Sequence, residues 1–525
     1  MIRQSNITTH SSVKSFSSAI TKHTVRMLTL LFFLSANISI AQKTDKPNVL
    51  IIYSDDVGYG DISCYGATKI NTPNIDRIAK EGIQFTNAHA TSSTCTPSRF
   101  GFLTGEYPWR KKGTGIAAGD AGSIIPEDQF TLADLFQQAG YQTAAIGKWH
   151  LGLGGATGPD WNGIIKPSPN DLGFQYSFII PATPDRVPCV YVENHQVVNL
   201  DPNDPIEVNY KNQVGNDPTG LEHPELLTMK ADTQHSGTII NGVSRIGYMK
   251  GGHKAYWNDE IMSDVLTDKA MQFISENKSH PFFLYFAIQD VHVPRVPNPR
   301  FKDKSGMGAR GDALLELDDN TGKILHLLDS LQLTGNTIVV FSSDNGPVLN
   351  DGYEDGAVEM LNGHLPGGPY RGGKYSKFDA GTRVPTIIRW PGVIKPNKVS
   401  NALIGQNDFI ASMAKLIKQP LPEKAAPDSK ELLDVWLGNS QNGRTSLVEQ
   451  GMTGLAIIQG DWKYIPPHPG MAIMKNKNME MGNAKEPQLY NIKTDKGEKE
   501  NLAAKYPEKV KELSQLLMDI QGTKQ

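Results

Sequence analysis

Four short apolar runs, each ending in polar or charged residues, constrain this chain more than any other feature. Val49-Leu50-Ile51-Ile52-Tyr53 runs into Ser54-Asp55-Asp56, and Thr143-Ala144-Ala145-Ile146 into Gly147-Lys148-Trp149-His150. Phe282 to Ile288 leads to Asp290 and His292, and Ile338-Val339-Val340-Phe341 runs into Ser342-Ser343-Asp344-Asn345-Gly346. Uninterrupted apolar runs of this length, separated by helical patterns, read as parallel strands buried on both faces. Ligands bind such sheets outside the carboxyl ends of the strands. Four strands that deliver polar groups at that end imply one shared crevice in an α/β fold.

The intervening helices are legible. Thr72-Pro73 opens one that closes at Gly82, and Thr131 caps one that stops at Gly140. Longer amphipathic helices are expected from Asn258 to Ser275 and from Ala313 to Leu331. From Tyr176 to His253 the pattern lapses into Pro, Asn, Asp and Gly, which reads as an insertion packed over the strand ends as a substrate wall. A chain of 525 residues exceeds one small core. The polar, proline-punctuated stretch at 420–440 divides it into a catalytic domain, 46–440, and a C-terminal α+β subdomain, 441–525. The subdomain should hold a small antiparallel sheet and a last helix over roughly Pro507 to Ile520.

Lys22 and Arg26 precede an apolar run from Met27 to Leu34, and Ser39-Ile40-Ala41 offers the small residues that a signal peptidase needs. Residues 1–41 are therefore expected to be a cleaved signal peptide, and the protein periplasmic or secreted. The run is too short to span a bilayer, and no later segment reads as a membrane anchor. Cys64, Cys95 and Cys189 exclude a disulfide framework, although Cys64 and Cys189 could pair. The formal charge of −3 gives no nucleic-acid footprint, so any anion site must be local.

That local site is expected around Thr94-Cys95-Thr96-Pro97-Ser98-Arg99, followed by Phe100-Gly101-Phe102-Leu103-Thr104-Gly105. Pro97 suits a first helical position and Gly105 a stop, so Cys95 would sit just ahead of a helix N-terminus that favours negative charge, with Arg99 pointing the same way. Asp55, Asp56, Asp344 and Asn345 would meet across two strand ends. They offer oxygen ligands alone, which suits Ca²⁺ or Mg²⁺ and argues against zinc. Lys148, Lys374 and Arg99 can neutralise a tetrahedral anion. His150 and His292 are acid/base candidates. His253, His364 and His468 default to structural histidines, with His364 and His468 open as substrate contacts.

Cys-Thr-Pro-Ser-Arg with Leu-Thr-Gly, Ser-Asp-Asp, Gly-Lys-Trp-His-Leu-Gly, His-x-Pro, Ser-Asp-Asn-Gly and Arg-Gly-Gly-Lys together resemble the type I sulfatases of the alkaline-phosphatase superfamily. The resemblance runs from about Lys46 to the C-terminus. It implies an alkaline-phosphatase-like domain with a mixed, mostly parallel sheet. Cys95 would be oxidised to Cα-formylglycine by a formylglycine-generating or anaerobic sulfatase-maturating enzyme, and its hydrate would be the nucleophile. Asp55, Asp56, Asp344, Asn345 and position 95 would surround calcium, and Arg99 and His150 would orient and activate the hydrate. Lys148 and Lys374 would bind sulfate, and His292 would protonate the leaving alcohol. Phe378-Asp379-Ala380-Gly381 departs from the family's Glu-Gly-Gly, with little consequence expected.

A phosphodiester or phosphonate hydrolase of the same superfamily, or a silent sulfoglycan-binding protein, would be the rival readings. The intact site set and the oxygen ligands favour hydrolysis of sulfate esters. The stretch from Thr183 to Glu193 resembles bacterial sulfatases that degrade host glycans, at galactose or N-acetylgalactosamine 6-sulfate. Asp185, Arg186, His195, Asp351 and His364 are expected to read sugar hydroxyls.

Overall fold

The computed structural model describes residues 46–522; the expected signal peptide lies outside the described residues. The four apolar runs form neighbouring strands. These are β1 (Asn48–Ser54), β3 (Gln142–Lys148), β7 (Phe282–Ala287) and β8 (Thr337–Ser343). The sheet is completed by β2 (Ile83–Phe85), β4 (Tyr176–Ile180), β5 (Val192–Glu193), β6 (Gln196–Val197), β9 (Thr386–Arg389) and β10 (Lys398–Ser400). The ten strands are ordered β10-β2-β9-β8-β1-β7-β3-β4-β5-β6. From β8 to β4 every pairing is parallel, while β9 joins β8 and β5 joins β4 antiparallel. The mixed, mostly parallel sheet is thus parallel where its strand ends carry the candidate chemistry. All residues of β1, β7 and β8 are buried, which accounts for runs with no polar alternation.

Helices α1 (Pro73–Lys80), α4 (Met262–Glu276) and α5 (Gly308–Ser330) form one packed group. Helices α2 (Cys95–Thr104), α3 (Leu132–Gln138) and α6 (Phe409–Ile417) form a second. The cap on α3 is the expected one: Thr131 Oγ1 accepts from the Asp134 amide at 3.1 Å, and the Thr131 amide donates to Asp134 Oδ2 at 2.9 Å. Helix α2 begins two residues earlier than Pro97 suggests, with Cys95 as its first residue. Pro97 is still among the first residues of the helix, whose amides have no intrahelical acceptor, so the missing N–H costs nothing there. Gly105 ends α2 in the left-handed region at φ 67°, donating its N–H to Gly101 O at 3.0 Å.

Strands β11 (Ser446–Gly451), β12 (Gly454–Gln459), β13 (Trp462–Ile465) and β14 (Gln488–Asn491) form a separate antiparallel sheet. Its alternating side chains make two cores. Val448, Ile457, Tyr464 and Leu489 pack with Leu513 and Leu517 of α7 (Pro507–Gly522) on one face. Leu447, Ala456, Ile458 and Ile465 meet Phe378 on the other. Asp379 follows Phe378 into a buried charged network. Arg383 Nε donates to it at 2.6 Å, Lys463 Nζ lies 3.6 Å away, and its amide donates to Glu498 Oε2 at 2.7 Å. The departure at Asp379, expected to be inert, therefore helps tie the two sheets together. Cys64 and Cys189 are free thiols, not a disulfide.

Candidate active site

Register places the first two carboxylates. Ser54 pairs with Ser343 in the parallel β1–β8 ladder, so Asp55-Asp56 and Asp344-Asn345 leave neighbouring strand ends together. All four side chains are fully buried. Asn345 Nδ2 donates to Asp56 Oδ1 at 2.7 Å, while Asn345 Oδ1 has no hydrogen-bond partner among the described residues. Asp56 adopts φ 59°, His150 φ 55° and Tyr375 φ 77°. Three left-handed non-glycine residues at one locality are backbone strain held by the surrounding fold.

Cations interleave with these carboxylates. Arg99, one turn into α2, donates from Nε to Asp344 Oδ2 at 2.9 Å and from Nη1 to Lys148 O at 3.0 Å. Lys148 Nζ is ion-paired with Asp55 and lies 3.6 Å from Asp344. Lys374 Nζ bridges Asp56 at 2.9 Å and Asp351 at 3.0 Å. Burial and the Asp344 charge push Asp55 up to about 8 despite Lys148. Burial acts on Asp344 as well, yet Arg99 and Lys148 hold its carboxyl below the usual range.

Cys95 Sγ lies 3.8 Å from Asp55 Oδ1. Asp55, Asp56, Cys95 and His292 each turn one ligand atom into a common space within 4.8 Å. Burial pushes the Cys95 thiol up to about 12 against the pull of Lys148 and Lys374, so it is a poor nucleophile at neutral pH. His150 Nε2 faces Ala117 O at 3.0 Å and donates to it, which leaves Nδ1 as an acceptor with no partner among the described residues. His292 is held the other way round, with Nδ1 donating to Val293 O at 2.6 Å and Nε2 3.8 Å from Asp56. Burial and nearby ammoniums lower both rings well below the ordinary histidine value.

Cys95, His150, His292 and Lys374 line a cavity of about 40 Å³ together with Asp185, Arg186, Gln234, His235, Asp351 and Lys477, whereas Asp55, Asp56, Asp344, Asn345, Arg99 and Lys148 are not part of its lining. The insertion after Tyr176 supplies Asp185, Arg186, Gln234 and His235, and so forms part of the cavity wall. His195 and His364 are not part of this lining. His195 lies against Ser168 and Ile165 O, and His364 is buried with Nε2 2.8 Å from Asp61. His235 and Lys477 were not anticipated from sequence. His235 bridges Asp185 at 3.4 Å and Asp232 at 2.6 Å, and Lys477 reaches Asp351 at 2.9 Å.

Residues 47–419 match the sulfatase family model. The chain belongs to the sulfatase family. It is a sulfuric ester hydrolase by membership. This sulfatase is 57% identical over 480 residues to the N-acetylgalactosamine-6-O-sulfatase of Bacteroides thetaiotaomicron, covering 91% of this chain and 94% of the relative. It is 33% identical to human steryl-sulfatase over 435 residues, 78% of this chain and 73% of that one. Among solved structures, one reported with the metabolism of multiple glycosaminoglycans by Bacteroides thetaiotaomicron superposes with a TM-score of 0.90 at 56% identity. That superposition covers 91% of this sulfatase and 100% of the other chain.

Proposed function

We propose that this sulfatase hydrolyses the 6-sulfate of N-acetylgalactosamine, or of the similar galactose, in a sulfated glycan. The observation that carries the reading is the small polar cavity in which Cys95, Lys374, His150 and His292 face Asp185 and Arg186. One side suits a sulfate and the other suits sugar hydroxyls. The relative's name and its 57% identity support the choice of sugar.

Position 95 is proposed to carry Cα-formylglycine, which supplies a geminal diol as nucleophile; the raised thiol of the unmodified residue supports this. Asp55, Asp56, Asp344 and Asn345 fit calcium. Their donors are all oxygen, and Asn345 Oδ1 is buried with no hydrogen-bond partner among the described residues. The cation would add positive charge against the bound sulfate. Lys148 and Lys374 hold sulfate oxygens, with Arg99 keeping Asp344 and the Lys148 backbone in place. His150 Nδ1, fixed as an acceptor, takes a proton from a hydroxyl at position 95. His292 delivers a proton from Nε2 to the leaving sugar oxygen, because the arriving anion offsets the burial and the ammoniums that keep the free ring neutral. Asp185 and Arg186 read sugar hydroxyls.

The charged and apolar segments before Gln42 support export to the periplasm or beyond after signal cleavage. No helix among the described residues is long and apolar enough to cross a membrane. The division at residue 440 into catalytic domain and subdomain is proposed on the same footing, as is a sulfatase-maturating enzyme as partner.

The test pairs peptide mass spectrometry at Cys95, after co-expression with a maturating enzyme, with sulfate release from 6-, 4- and 3-sulfated N-acetylgalactosamine and galactose. Loss of the thiol together with release from the 6-sulfates alone is expected. Release from another regioisomer, or turnover of phosphate esters only, would overturn the assignment.

A further inference from the structure

Next to the catalytic cavity lies a larger one, of about 410 Å³ against about 40 Å³. Lys477 borders both. Its ammonium sits 2.9 Å from one oxygen of Asp351, whose other oxygen is 3.0 Å from Lys374. A single carboxylate therefore links the cation proposed to hold sulfate with a cation that also lines the second cavity. Lys477 is almost fully buried, and Asp232 lies 3.9 Å from its ammonium.

The walls of the second cavity are fixed. One is the loop from Asp355 to Pro366, pinned at four places. Arg295 Nη1 donates to Asp355 at 2.6 Å, Asn362 Nδ2 to Gly306 O at 2.6 Å, His364 lies 2.8 Å from Asp61, and the Gly60 amide donates to Pro366 O at 2.7 Å. The approach at Gly60 is so close that a Cβ there would collide with the Leu365 carbonyl. The other wall is the hairpin of Ile473–Met474 and Met479–Glu480, anchored by Glu480 to Arg371 at 2.5 Å. His364 thus holds the wall of this second space rather than touching the first.

The lining combines apolar surface from Leu349, Val358 and Met479 with the exposed amides of Asn350 and Asn478. Apolar faces beside hydrogen-bonding edges match a pyranose ring, and the volume is within the range of about 300–1,000 Å³ common for ligand pockets. Charge narrows the choice. Glu480 is paired with Arg371 and Lys477 with Asp351, whereas Glu359 has no ion pair among the described residues. An unpaired carboxylate in the lining repels a uronate or a second sulfate.

We propose that this cavity is the subsite for the sugar linked to the sulfated residue, and that it takes a neutral sugar in preference to an anionic one. The proposal rests on the glycan reading above. It is tested with three 6-sulfated substrates: the monosaccharide, and disaccharides whose second sugar is neutral or a uronate. In the wild-type enzyme kcat/KM should be highest for the neutral disaccharide, by about 10-fold over the monosaccharide. Val358→Trp, at a position 50% exposed, should fill the cavity without disturbing the core. It should bring the neutral disaccharide down to the monosaccharide rate and leave the monosaccharide unchanged. Glu359→Gln should raise the uronate disaccharide towards the neutral one.

Equal rates on all three substrates in the wild type, or equal losses on all three in Val358→Trp, would overturn the subsite. An unchanged uronate penalty in Glu359→Gln would overturn the charge preference. If no sulfated sugar is turned over, the glycan reading fails, and calorimetry with the unsulfated neutral disaccharide decides the cavity separately. Binding that Val358→Trp abolishes supports it, and no binding to the wild type removes it.

Discussion

Lys374 and Asp351 form a buried ion pair at 3.0 Å, and the same ammonium lies 2.9 Å from Asp56. One cation is shared between a carboxylate of the candidate metal cluster and a carboxylate on the sugar side of the cavity. Lys374→Ala removes positive charge from both at once. Loss of one such donor costs about 100-fold or more in turnover, so kcat/KM on the 6-sulfated sugar should fall by at least that much. Steady-state kinetics on a variant with cooperative unfolding provide the check, and a loss smaller than a few-fold would contradict the role.

Asn345 is the neutral member of the oxygen cluster, and its unpaired Oδ1 supports the proposal that it is a ligand. Chelation should abolish sulfate release, and added Ca²⁺ should restore it. Asn345→Ala should raise the Ca²⁺ concentration needed for half-maximal activity by about 10-fold or more. Titration calorimetry of both proteins would measure this directly, and identical affinities would exclude Asn345 as a ligand.

Gly101 lies in the middle of α2, where a Cβ would press on the Thr91 side chain and its Cβ. Gly101→Ala gains helix propensity but overpacks a buried contact, and such overpacking costs about 1–3 kcal/mol. Because α2 also carries Cys95 and Arg99, activity should fall with stability. Thermal unfolding is the measurement, and an unchanged or raised Tm would show that Thr91 yields without strain.

Glu498 gives a pH dependence of stability. Burial pushes its carboxyl up from an ordinary 4.5 to about 8, with Lys463 opposing. The folded protein holds this proton more tightly than the unfolded chain. The associated stability is fully present below pH 4.5 and is lost as pH rises through 8. Glu498→Gln keeps an acceptor for the Asp379 amide and removes the titration. Its Tm should decline less than that of the wild type between pH 5 and 9, and parallel curves would show that another group is responsible.

The parallel core was legible because β1, β3, β7 and β8 are buried on both faces, which writes continuous apolar runs into the sequence. The Asp and Asn residues followed from those runs, since each stands immediately beyond a strand end. His235 and Lys477 were not legible. Each reaches the cavity through contacts that no local spacing encodes: His235 from a turn within the insertion, and Lys477 from a hairpin tip more than a hundred residues after Lys374. His364 carried a similar signal but is turned away, because its partner Asp61 lies 303 positions away in the chain. Helix α2 starts two residues before the position that Pro97 marks, since proline is tolerated throughout the first helical turn.

Cys95 is only 2% exposed, enclosed by strand ends that include Asp55 and, nearly 290 residues later in the chain, Asp344. The folded protein leaves in front of that sulfur only the cavity of about 40 Å³, which is too small to admit another protein's active site. On the proposed reading, an enzyme that oxidises position 95 would have to meet the polypeptide before β8 pairs. Maturation and folding would then run as a race, and a chain that closed first would keep its thiol.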